Sequence, residues 1–175
     1  MYGRKREFYN PSRKGCLVSF FAYPNEPPAA AAEIEQLLPD ASDEEWAILL
    51  KHTRHRSFGP GDAVVTAGAL DRSLYLVIDG LLEVLVAHGR RGYRGVATIG
   101  AGSVIGELSF FDGGARSALV RAVTTAELAE LSPAVFDAFA VASPALARRL
   151  LFDLGRILAK RLRTVQQAAS SVGEY

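Results

Sequence analysis

The chain has 175 residues, 49% of them hydrophobic, with 20 Lys and Arg against 19 Asp and Glu for a net charge of +1. That length supports one domain with a real core and leaves little for a second, and the charge balance offers no general affinity for nucleic acid or membranes. The single cysteine, Cys16, excludes an intrachain disulfide and fits a reducing compartment. With no signal peptide and no apolar run of spanning length, a cytoplasmic location is expected.

Residues 1–41 read as an N-terminal extension. It opens with a basic tail (Arg4, Lys5, Arg6, Arg13, Lys14), followed by a short strand in "GCLVSFFAYPNEPP" and a helix in "AAAAEIEQLLPD" that Pro39 ends. The main domain is placed at 42–170, with 171–175 as a tail. Ser42 and Glu45 form a capping box for a helix whose apolar face is Trp46, Leu49 and Leu50, and which ends near 52–56.

From Ser57 the pattern changes to short β-branched runs punctuated by glycines. Strands are predicted at 63–66, 74–79, 81–87, 95–99, 118–123 and 126–131, with Asp79-Gly80 as a hairpin turn. Such a series points to an antiparallel β-roll or jelly roll, mainly β with flanking helices. Helices then return at Ser132-Pro133 and Ser143-Pro144, each a cap followed by Pro at the first helical position. In the last helix, Leu146, Leu150, Leu154, Ile157, Leu158, Leu162 and Val165 make one apolar stripe, suited to packing on its own domain and on a partner helix. Arg148, Arg149, Lys160, Arg161 and Arg163 are expected on its polar sides.

The stretch "GELSFFDGGARSALVRA", Gly106 to Ala122, places an acid and a guanidinium in otherwise apolar sequence. A buried charge is costly unless paired or matched to a ligand. Arg116 has the shape to grip a phosphate bidentately, and Ser117 beside it adds a hydroxyl donor. Residues Glu107–Phe111 suit a short helix whose free N–H groups would face the same anion. Glu107 could accept from ribose hydroxyls, and Gly106 permits close backbone approach. The alternatives are ordinary ones: Arg116 exposed in a loop or paired with Asp112, and Glu107 as a charge favoured by a helix dipole.

Together with the lead-in "FGPGDAVVTAGALDRSLYLVIDGLLEVL", this stretch resembles the phosphate-binding cassette of the cyclic-nucleotide-binding domain family. The likeness covers 57–166, and Gly61, Gly68 and Gly80 fall where that family keeps glycines. The resemblance implies that Glu107 binds the ribose 2′-hydroxyl and that Arg116 and Ser117 bind the cyclic phosphate. Backbone around Gly106, Leu108, Ser109 and Ala118 would complete the cradle. The last helix would cover the base with Thr164, Val165 or Gln166. Phe110 and Phe111 are bulkier than the family often carries, and the loop before Arg116 lacks a proline.

Other chemistries have less support. "GAGSVIG" is one residue too long for a dinucleotide fingerprint and no amphipathic helix follows it. The histidines, His52, His55 and His88, are not clustered for a metal. No base is identifiable for Cys16. A helix-turn-helix would need chain beyond the residues after Gln166, so DNA binding is not expected. The expected function is a stand-alone, non-enzymatic sensor of cAMP or cGMP, without a resident cofactor, that repositions its C-terminal helices. A homodimer through the last helix, or an effector protein, is the expected partner. The other reading is a protein-interaction module with a vestigial pocket.

Overall fold

The computed structural model describes residues 36–89 and 92–171. In chain order these form α1 (Asp43–His52), β1 (Arg54–Phe58), β2 (Ala63–Val65), β3 (Leu74–Asp79), β4 (Leu81–Ala87), β5 (Tyr93–Gly100) and β6 (Val104–Ile105). Then come α2 (Glu107–Asp112), β7 (Leu119–Ala122), β8 (Ala126–Leu131), α3 (Pro133–Ala142) and α4 (Pro144–Ser171). The strands make two four-stranded antiparallel sheets, ordered β1-β8-β3-β6 and β2-β7-β4-β5. This is the expected β-roll with flanking helices.

The alternation along β3 explains how one sheet serves two cores. Tyr75 and Val77 point between the sheets, with Leu82, Val84, Ile99, Ile105 and Leu128. Leu74 and Leu76 point the other way, into a cluster with Trp46, Leu49, Phe139, Leu150, Leu154 and Ile157 from the helices. β8 repeats the device, with Leu128 on one face and Ala129 and Leu131 on the other. The hairpin after Asp79 turns on Gly80 at φ +93°, where a Cβ would fall 2.6 Å from the Ala126 Cα.

α1 begins at the Ser42–Glu45 capping box in both its hydrogen bonds. It ends at His52, and the following residues form a strand rather than more helix. β1 escapes the sequence pattern because "RHRSF" has no apolar alternation. Its pairing with β8 is polar: Arg56 Nη1 donates to Glu130 Oε2 at 2.9 Å and Ser57 Oγ to Glu127 Oε1 at 2.9 Å. β6, two residues long, is too short to carry a period.

The strand predicted around 16–23 lies outside the described residues, as does most of the helix placed ahead of Pro39. The described end of that helix, Gln36–Leu38, is not helical, and Leu38 has φ +49°. These residues instead strap the domain, with Leu37 and Leu38 buried. Leu37 N–H donates to the Gly102 carbonyl (3.3 Å), and Leu38 N–H to Asp153 Oδ2 of α4 (2.5 Å). The α4 stripe is buried through Leu146, Leu150, Leu154 and Ile157, whereas Leu162 is 58% exposed.

Candidate functional site

Three chain segments meet at the start of α2. Gly106 precedes the helix with φ +81°, and a Cβ there would fall 2.7 Å from the Ser73 carbonyl oxygen and overlap the Arg116 guanidinium. Only glycine tolerates both the left-handed backbone and that approach. The next residue, Glu107, is 6% exposed, and Arg116 is 3% exposed. The acid and the guanidinium therefore flank one glycine, buried together as the sequence spacing suggested.

The Arg116 guanidinium is held by the roll. Nε donates to Asp71 Oδ2 (2.8 Å), Nη2 to Asp71 Oδ1 (2.5 Å) and to the Ser73 carbonyl (2.6 Å), and Nη1 to the Gly106 carbonyl (3.1 Å). Four of its five N–H donors are thus engaged. Its charge also lies 5.9 Å from the centre of the Tyr75 ring. The partner is Asp71, on the loop before β3, and not Asp112, whose carboxylate accepts from the Gly114 N–H. The Arg116 hydrogen bond holds the Asp71 carboxyl below the ordinary carboxylate value, against the opposing effect of burial. Burial, followed by the nearby Glu130 and Asp71 charges, pushes the Tyr75 phenol up.

Glu107 is held by a different element. Arg161 of α4 donates from Nη1 to Glu107 Oε1 (2.5 Å) and from Nη2 to the Val104 carbonyl (3.1 Å). The two side chains are 11% and 8% exposed. Arg161, expected on a polar side of α4, lies on the buried one. It lies four residues after Ile157 and seven after Leu154, so helical geometry aligns it with the buried stripe. A charge at that register was the signal in the sequence.

The remaining sequence candidates are distributed around this centre. Ser109 is buried, Leu108 is 47% exposed, Ser117 is exposed and Ala118 half-buried. Thr164, Val165 and Gln166 follow Arg161 on the outer turns of α4, where the Thr164 hydroxyl donates to its own helix at the Lys160 carbonyl (3.2 Å). Arg161, rather than these three, brings α4 to the cassette. Sequence reasoning also passed over Asp71, Arg72 and Ser73. A run of three polar residues directly before the buried strand "LYLVI" marked them.

The histidines lie elsewhere: the His52 ring packs 5.4 Å from that of Phe139, and His55 Nε2 is 2.6 Å from Glu127 Oε2 on the opposite edge. Among the described residues, no helix is long and apolar enough to cross a membrane.

Residues 55–143 match the family model described as cyclic nucleotide-binding domain. The chain is 32% identical over 120 residues to the cyclic AMP receptor protein of Thermus thermophilus, an alignment covering 69% of this chain and 54% of that one. It therefore spans about half the length of that curated relative. The crystal structure of the Thermus thermophilus catabolite activator protein superposes with a TM-score of 0.68 at 28% identity, over 76% of this chain and 61% of that one. A cyclic nucleotide-binding domain from Methylobacillus flagellatus gives 0.66 at 29% identity, over 74% and 72%. With its glycine-flanked acid and arginine at the start of α2, the chain belongs to the cyclic nucleotide-binding domain family.

Proposed function

We propose that this chain is a regulatory sensor of a cyclic mononucleotide, cAMP first and cGMP second. Glu107 accepts from the ribose 2′-hydroxyl. Arg116 and Ser117 donate to the cyclic phosphate, with backbone groups from Gly106 to Ser109 and at Ala118 closing the cradle. The base lies under α4, beyond Arg161 and beside Thr164, Val165 or Gln166. The role is binding, not catalysis, and it requires neither metal nor cofactor.

The observation that carries the reading is a buried Glu107 and a buried Arg116 on either side of Gly106, the first tied to α4 and the second to the roll. A ligand shifts a conformational equilibrium only through differential affinity for its states. The Arg161–Glu107 contact supplies the difference, because it exists only when α4 lies against the cassette. Downstream, exposed Phe152 and Leu162 on α4 offer a face for a second protomer or an effector. We place the protein in the cytoplasm.

Calorimetry of the full chain against cAMP, cGMP and cyclic dinucleotides tests the proposal. Binding by the parent that Arg116→Ala weakens roughly ten- to 150-fold supports it, and no heat with any of them overturns it. The second reading, an interaction module with a vestigial pocket, draws on the fact that both ligand groups already have protein partners, Arg116 in Asp71, Ser73 and Gly106 and Glu107 in Arg161.

A further inference from the structure

α2 has six residues. A helix this short has no stability of its own, so tertiary contacts decide where it sits. Its last carbonyls lack intrahelical donors, and the negative end of its dipole favours a cation. Arg72 meets both needs. Its Nη2 donates to the Phe110 carbonyl (3.1 Å) and its Nε to the Ser109 carbonyl (3.4 Å), which also accepts the Gly113 N–H (3.1 Å). The guanidinium lies 3.6 Å from where a Gly113 Cβ would stand.

Arg72 sits between the two residues that hold Arg116. Asp71 takes two guanidinium donors, and the Ser73 carbonyl takes another. The turn is stiffened from within, since the Ser73 N–H donates to Asp71 Oδ1 (3.1 Å), and from without, since Ser73 Oγ donates to Glu130 Oε1 (2.9 Å). Three consecutive residues therefore grip both ends of the cassette: Asp71 and Ser73 at the arginine, Arg72 at the far end of α2. A phosphate at Arg116 would compete with Asp71 for the same N–H groups, and any shift of Asp71 moves its covalent neighbour. At the other end, the Phe110 ring lies 5.7 Å from Phe136 of α3, edge to face.

We infer that Arg72 is a positioning residue for ligand binding. It caps the C-terminus of α2 and ties the placement of that helix to the state of the Asp71–Arg116 pair. The inference deepens the sensor reading and rests on it for the ligand arm of its test.

The test uses the full chain as parent, Arg72→Ala, Arg72→Lys, Asp71→Asn and the Asp71→Asn/Arg72→Ala double variant. Without ligand, Arg72→Ala should speed amide exchange in 107–113 by about fivefold or more while β3 and β4 keep their protection. In calorimetry, Arg72→Ala should weaken cAMP about tenfold, Arg72→Lys should recover part of that loss, and the double variant should lose less than the product of the two single effects. Unchanged exchange in 107–113, exchange raised equally throughout the roll, or multiplicative single effects would each overturn the inference. A parent that binds no cyclic nucleotide would sink the sensor reading instead, and the exchange arm would still decide whether Arg72 holds α2.

Discussion

Two arginines serve the same small site in opposite ways. Arg116 is held by neighbours within the roll, from the loop before β3 and from Gly106. Arg161 reaches Glu107 from α4, an element that packs on the roll without sharing its sheets. Changing the first contact moves at most a short turn of the roll, held by Ser73 and Glu130, whereas breaking the second frees a whole helix end to swing away. The guanidinium end is thus the fixed jaw of the site and the carboxylate end the movable one. Such an asymmetry lets a ligand that bridges both ends report on where α4 lies.

The sharpest way to break this comparison is Arg116→Ala. Loss of a charge-assisted phosphate contact should weaken cyclic-nucleotide binding by about 1.5–3 kcal/mol, roughly ten- to 150-fold in Kd by calorimetry. Affinity equal to the parent's would remove the fixed jaw altogether. Gly106→Ala attacks the hinge between the jaws. Its φ of +81° and the 2.7 Å approach to the Ser73 carbonyl should cost about 2–3 kcal/mol in chemical denaturation, with the site lost alongside.

Arg161→Ala sharpens the contrast. Leaving the Glu107 carboxylate without its cation should cost about 1–2 kcal/mol, and faster amide exchange should appear in the second half of α4. Protection in β3 and β7 should stay at the parent's level, and affinity should fall by less than in Arg116→Ala. Equal loss of protection at both ends would mean that the two jaws form one cooperative unit.

The smallest effect is a pH dependence of the fixed jaw. Because the native Asp71 carboxyl titrates below its ordinary value, its contribution is fully present above the unfolded carboxylate pKa of about 4. As pH falls further the unfolded chain takes up a proton that the native state refuses, and the contribution is lost through the native pKa. Asp71→Asn should therefore flatten the acid limb of a stability-against-pH curve and leave its neutral region parallel to the parent's. An unchanged acid limb would detach Asp71 from Arg116.

Much of this architecture was legible in local pattern. The Ser42–Glu45 box, the Ser132 cap and the glycine-punctuated runs at β3, β4 and β8 all announce themselves within a few residues, and the structure keeps them. What escaped has a common cause. β1 is a strand because Glu127 and Glu130 lie across from it on β8, far away in sequence. Gln36–Leu38 became a strap because Gly102 and Asp153 accept its N–H groups. Neither choice is written in the propensity of the residues concerned.

The candidate site divides the same way. Gly106, Glu107 and Arg116 stood out in the sequence alone, because a glycine, an acid and an arginine interrupt an otherwise apolar run. Which groups would partner them was decided only by tertiary structure. Asp71 and Arg161 lie 45 and 54 residues from the side chains they hold. Electrostatic pairing depends on distance through space and on exclusion of water, and the fold sets both.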